Sequence, residues 1–162
     1  MPPAGPGGGD VSLSPGDPAP DFTLPSTQGP VSLSDLRRRG KVVLAFYFQD
    51  ETPLCATQVG MLKGDFDLLT ELGAQAVAIS ADDLESHRRF AERLGGVPFP
   101  LASDEALAVA RAYGVVDETG KRCRRAIFVV DEDGRLLLAN PFFQPNSPDH
   151  YQQLFRALGL EV

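Results

Sequence analysis

The sequence predicts an α/β fold with a central mixed β-sheet flanked by helices. Three observations lead there: strand-like and helix-like blocks alternate from Val11 onward, one block is apolar on both faces, and the last two strand-like blocks meet at a tight turn. A strand covered on both faces reads as a near-continuous apolar run, as in a sheet lying between helices. The closing turn adds antiparallel pairing, which makes the sheet mixed.

Lys41-Val-Val-Leu-Ala-Phe-Tyr-Phe48 is the doubly covered block, β-branched and aromatic with no strict period. Val59, Leu62, Phe66 and Leu69 then recur at spacings of three and four, so an amphipathic helix is expected over Cys55 to Leu72, with Gly60 and Gly64 as points for a kink. Gly73 suits its C-terminal cap, and Ala74 to Ser80 reads as a second buried strand. Asp82 with Glu85 resembles a capping box opening a helix to Leu94, which Gly95-Gly96 would stop. Phe99 to Ala102 is a short extended piece, and Ser103 is placed to cap a helix running to Tyr113. Arg125 to Val130 and Arg135 to Ala139 flank Asp131-Glu-Asp-Gly134 as a hairpin, and His150 to Leu158 is a closing helix.

At 162 residues the chain fits one domain, near the ~150-residue norm. Gly and Pro crowd into the first 20 residues, so residues 1–14 read as a flexible tail and 15–162 as the folded domain. The tail lacks the cationic start and apolar stretch of a secretory signal. A net charge of −7 argues against nucleic acid or an anionic membrane as the partner, because polyanion binding draws on a basic patch. No apolar run approaches the ~20 residues of a spanning helix, and two cysteines are too few for a disulfide scaffold. A cytoplasmic protein is the expectation.

The chemistry concentrates at Cys55. A strand runs out through Gln49-Asp-Glu-Thr52, Pro53 takes a helix-starting position, and Cys55 falls in the first turn. Unpaired amides and the positive helix end there favour thiolate over thiol, which supplies a nucleophile. The Thr52 hydroxyl is placed to donate to an oxygen held close to the sulfur. An isolated cysteine packed as a small hydrophobe is the competing reading, and spacing alone does not decide between the two.

Residues 16–158 resemble the peroxiredoxins, nearest to the bacterioferritin-comigratory and one-cysteine groups. Gly16-Asp-Pro-Ala-Pro-Asp-Phe-Thr-Leu24, Val31-Ser-Leu-Ser-Asp-Leu36, Phe99-Pro-Leu-Ala-Ser-Asp104, Ala112-Tyr-Gly-Val115 and Arg125-Ala-Ile-Phe-Val-Val-Asp131 match in order, and Thr52-Pro-Leu-Cys55 matches the end of the Pro-x-x-x-Thr-x-x-Cys signature. The resemblance implies a thioredoxin-like fold and a thiol-dependent peroxidase acting on hydrogen peroxide or alkyl hydroperoxides. It implies that Cys55 attacks the O–O bond, that Thr52 and the Cys55 amide position the oxygens, and that Arg125 stabilises the thiolate and the leaving oxygen. Gln58 corresponds to a polar position supporting the arginine. A guanidinium, always charged with its donors in one plane, suits that task. The product is a sulfenic acid on Cys55, to be reduced by a thiol or a thioredoxin- or glutaredoxin-type partner. A monomer or homodimer is expected, with no cofactor and no metal.

Two departures stand out. Phe48 occupies the place of the signature proline, and Asp50 and Glu51 add negative charge beside Cys55, which by itself opposes a thiolate. The familiar resolving position five residues on is Gly60, so Cys123 is the one internal candidate for resolving the sulfenic acid. If Cys123 and Arg125 share an extended strand, alternation turns both toward the site. A packed Cys123, with an external thiol doing the reduction, is the favoured alternative.

The remaining candidates read as structural. His87 and His150 show no ligand spacing, Asp131 to Gly134 lacks the later ligands of a calcium loop, and Arg37-Arg-Arg39 reads as a solvated helix end. Phe142 and Phe143 read as packing residues, and no phosphate loop or dinucleotide fingerprint is present. Two other functions compete with the peroxidase. One is a peroxide-sensing or partner-binding module without efficient turnover, kept open by Phe48. The other is thiol–disulfide exchange, disfavoured because Gln58 stands where the second cysteine of a C-x-x-C pair would be.

Overall fold

A computed structural model describes residues 12–160. The expected tail lies mostly outside them. A short antiparallel ribbon, Thr23–Leu24 (β1) and Val31–Ser32 (β2), opens the fold and leads into one turn of helix, Leu33–Leu36 (α1). None of these three was expected from the sequence, since two-residue strands carry no readable period.

The central sheet holds Lys41–Phe46 (β3), Ala74–Ser80 (β4), Leu101–Ser103 (β5), Ala126–Val130 (β6) and Leu136–Asn140 (β7), in the order β5-β4-β3-β6-β7. β3 pairs parallel with β4 and antiparallel with β6, so the sheet is mixed. Its place in the middle explains its apolar sequence: Val42 to Phe46 are fully buried. Val42, Leu44 and Phe46 pack on one face with Tyr113 and Phe128, while Val43, Ala45 and Tyr47 pack on the other with Val59, Leu62 and Phe90. The hairpin between β6 and β7 forms as expected, with the Asp131 carboxylate accepting from the amides of Asp133 and Arg135.

Pro53–Gly64 (α2), Phe66–Glu71 (α3), Leu84–Arg93 (α4), Ala108–Ala112 (α5) and Pro148–Ala157 (α6) complete the layers. The single helix expected over 55–72 is two helices, broken at Asp65 just after Gly64, where helix propensity is lowest. Asp83, not Asp82, caps α4 by accepting from the Ser86 amide. Ser103 ends β5 instead of capping a helix. Asp104 takes that task, its carboxylate accepting from the amides of Val109 and Ala110, which leaves α5 only five residues long. Gly40 (φ 147°) passes so close to Gly73 that a Cβ there would collide with the Gly73 carbonyl oxygen, so the turn into β3 requires glycine.

Candidate active site

Past Phe46 the β3 chain leaves the sheet, turns through residues 48–52 and enters α2. Thr52 is the N-cap residue, Pro53 takes the first helical position, and Cys55 follows within the first turn. Cys55 is only 1% exposed, seated against Val59, Tyr47 and the partly buried ring of Phe48. Its sulfur accepts a hydrogen bond from the backbone N–H of Phe48 at 3.3 Å. A proline at 48 could not make this contact, because it has no N–H. The residue that departs from the signature thus supplies a donor to the sulfur. The Phe48 ring also carries the Arg122 guanidinium over it, 5.9 Å from the centroid.

Thr52 is turned differently from the expectation. Its hydroxyl donates back to the Gln49 carbonyl at 2.9 Å and closes the loop. Gln58, one turn after Cys55, is fully buried and anchors α2 to the sheet, its Nε2 donating to the Phe46 carbonyl at 3.1 Å. Its Oε1 has no partner. Arg125 lies one residue before β6, where the register aligns Ala126 with Phe46. Ile127 and Val129 of β6 pack in the cluster that holds Cys55, and Arg125 precedes that strand by one residue. Its Nε is buried and unpartnered. The Phe46–Ala126 register brings Arg125 and Gln58, which is bonded to the Phe46 carbonyl, to one end of the sheet.

Cys123 does not share this site. It lies outside β6, bridged only to Val116, and its side chain is fully buried in the cluster of Phe46, Tyr113 and Phe128 on the opposite face of the sheet. The shared strand that would have turned it toward the site with Arg125 does not form. Burial pushes its thiol far above the usual range, and the charges of Asp104, Asp82 and Asp117 add to that, so it stays protonated and unreactive. Both cysteines are free.

The acidic residues beside Cys55 are also accounted for. Glu51 pairs with Arg93 at 2.8 Å. Asp50 turns inward, 6% exposed, and meets the ring of fully buried His87, with Nδ1 2.8 Å from Oδ2. The Tyr47 hydroxyl donates to the same carboxylate at 2.6 Å and the Ser86 hydroxyl at 2.7 Å. Burial first, then the Asp50 charge, holds the Tyr47 hydroxyl well above its ordinary range, so it remains a donor. Sequence reasoning set His87 aside. The available signal was its place on the apolar face of α4, three residues before buried Phe90.

The described residues hold no cluster of three or more metal-ligating side chains and no helix long and apolar enough to cross a membrane. Residues 15–138 match the model of the AhpC/TSA family. The chain is 38% identical to the chloroplastic peroxiredoxin Q of Sedum lineare over 138 residues, covering 83% of this chain and 73% of that protein. It is 37% identical over 155 residues to a Mycobacterium tuberculosis protein described as a peroxiredoxin, covering 91% and 96%. Among solved structures, peroxidoxin BcpB of Mycobacterium tuberculosis superposes with a TM-score of 0.77 at 31% identity, covering 91% and 95%. A cysteine-to-serine mutant of peroxiredoxin 6 of Arenicola marina superposes with a TM-score of 0.80 at 24% identity, covering 91% and 72%, which shows the thioredoxin-like fold alone.

Proposed function

The chain belongs to the AhpC/TSA family, the peroxiredoxins, and is a thiol-dependent peroxidase; we propose that Cys55 is its peroxidatic sulfur and Arg125 its anion-stabilising partner. The observation that carries this is the seat of the sulfur: first turn of α2, with the Phe48 amide donating to it. Arg125 Nε, buried without a partner one residue before β6, supports the second role.

In the first step the Cys55 thiolate attacks the nearer oxygen of a hydroperoxide. An S–O bond forms, the O–O bond breaks, and the electron pair leaves with the distal oxygen, which takes a proton to become water or an alcohol. The sulfur is oxidised to a sulfenic acid and the peroxide is reduced. The Arg125 guanidinium offers planar donors to the oxygens as charge moves between them. Gln58 keeps α2 docked on β3 and presents Oε1 toward that end of the sheet. Thr52 belongs to the same seat through the loop closure it makes with Gln49. A reducing thiol then attacks the sulfenic sulfur, expelling water and leaving a mixed disulfide. A second thiol releases Cys55 as thiol, with the two reductant sulfurs joined.

The burial of Cys123 on the far face favours an external thiol, of the thioredoxin or glutaredoxin kind, over an internal disulfide. A cytoplasmic setting fits two unpaired cysteines. A monomer or homodimer is the form we propose. Peroxide consumption with dithiothreitol, wild type against Cys55→Ser, tests the reading. Steady turnover lost in the variant supports it. Consumption that stops at one equivalent points to a sensor, and turnover surviving Cys55→Ser overturns the assignment.

A further inference from the structure

One buried polar cluster takes no part in that chemistry. Asp50 is surrounded by Tyr47 from the end of β3 and by Ser86 and His87 from α4. His87 Nε2 lies 3.1 Å from the Ala102 carbonyl, which can only accept, so this nitrogen donates. Nδ1 faces the carboxylate at 2.8 Å, and that carboxylate already accepts from two hydroxyls. Nδ1 also lies 3.2 Å from the Tyr47 hydroxyl, so the ring closes the cluster from the α4 side. The Asp50 amide is held too, donating to Asp82 Oδ2 at 2.8 Å, and Asp82 is itself fixed by the Ser80 hydroxyl and by Arg122.

The contacts to the Asp50 carboxylate and amide tie down the segment that leads from β3 to Cys55. Asp50 sits two residues after Phe48, whose amide donates to Sγ, and five before Cys55. The next residue, Glu51, has φ 66°, a left-handed conformation that a non-glycine residue keeps only when its surroundings hold it. With Cys55 only 1% exposed, lifting of this segment is the route by which a thiol, bulkier than a peroxide, gains the oxidised sulfur.

We propose that Asp50, clamped by His87, Tyr47 and Ser86, is the latch that sets how often the 48–55 segment opens. Closed, it keeps the Phe48 amide on the sulfur for the peroxide step. Open, it hands the oxidised sulfur to the reductant. Asp50 and His87 touch neither sulfur nor peroxide and are positioning residues. The proposal rests on the peroxidatic reading of Cys55, but its primary test does not.

Cys55 and Cys123 report separately, because they lie in different cores on opposite faces of the sheet. Full-length wild type, Asp50→Asn and Tyr47→Phe are labelled with a bulky maleimide, and each cysteine is followed by peptide mass mapping. Asn keeps the shape but removes the charge and turns a second donor toward donors. Labelling of Cys55 in Asp50→Asn rises about tenfold or more, equivalent to about 1.4 kcal/mol in the opening equilibrium, while Cys123 stays at the wild-type rate. Tyr47→Phe moves Cys55 in the same direction by less, and carries the test alone if Asp50→Asn does not fold. The kinetics split as well: the second-order rate with peroxide falls while reduction of the sulfenic acid by thiol speeds up. An equal rise at both cysteines means general loosening and overturns the latch, as does an unchanged Cys55. A wild type that consumes no peroxide would remove the peroxidatic reading and leave the labelling contrast standing.

Discussion

Replacing Phe48 with proline removes one atom group of known position, the amide that donates to Cys55 Sγ at 3.3 Å. Among the described residues it is the only hydrogen-bond donor to that sulfur. A hydrogen bond to a charged acceptor contributes about 1.5–3 kcal/mol. At about 1.36 kcal/mol per decade, losing the donor that holds the attacking sulfur should slow its reaction roughly ten- to a hundredfold in Phe48→Pro. Phe48→Ala is the matched control. It loses the ring and its contact with Arg122 but keeps the amide. The assay is the second-order rate of Cys55 alkylation by iodoacetamide at one fixed pH, with Cys123→Ala as background. Phe48→Pro should lower that rate by one to two decades, with Phe48→Ala close to wild type. Equal rates for the two variants would refute the assignment of that amide to the sulfur.

Arg125→Lys should slow the reaction with peroxide about ten- to a hundredfold, because an ammonium keeps the charge without the planar donors; an unchanged second-order rate of peroxide consumption counts against its role. Gly40→Ala should cost about 2 kcal/mol or more, from the collision with the Gly73 carbonyl added to an unfavourable φ, measured by urea unfolding. Asp104→Ala should lower stability by about 1 kcal/mol, some 2–4 °C in a thermal melt, since it releases two amides at the start of α5. A melt unchanged within error would mean that water replaces the carboxylate without loss.

The sheet was legible because its strands are mostly apolar, and Ala74–Ser80 was read to the residue. The helix boundaries failed where a side chain one position away outcompeted the expected one, as Asp104 did Ser103 and Asp83 did Asp82. At the site, the seat of Cys55 in the first helical turn after Pro53 was legible from the local sequence, while Gln58 and Arg125 entered only through the resemblance. Two things were not. The inward turn of Asp50 depends on a histidine 37 positions away that α4 brings back to the loop, and no local pattern encodes such a meeting. The displacement of Cys123 depends on where β6 begins, since residues 123–125 are too few to reveal whether the strand has yet started. Phe48 looked like a loss when read as a missing proline. Its backbone, which the side-chain letter hides, makes the contact to the sulfur.

The most direct test lets the protein react with one equivalent of hydrogen peroxide in the presence of dimedone, which traps sulfenic acids, and maps the adduct by mass spectrometry. The account predicts the adduct on the peptide holding Cys55 and none on the peptide holding Cys123. Adduct on Cys123 alone, or peroxide consumed with both thiols intact, would contradict it.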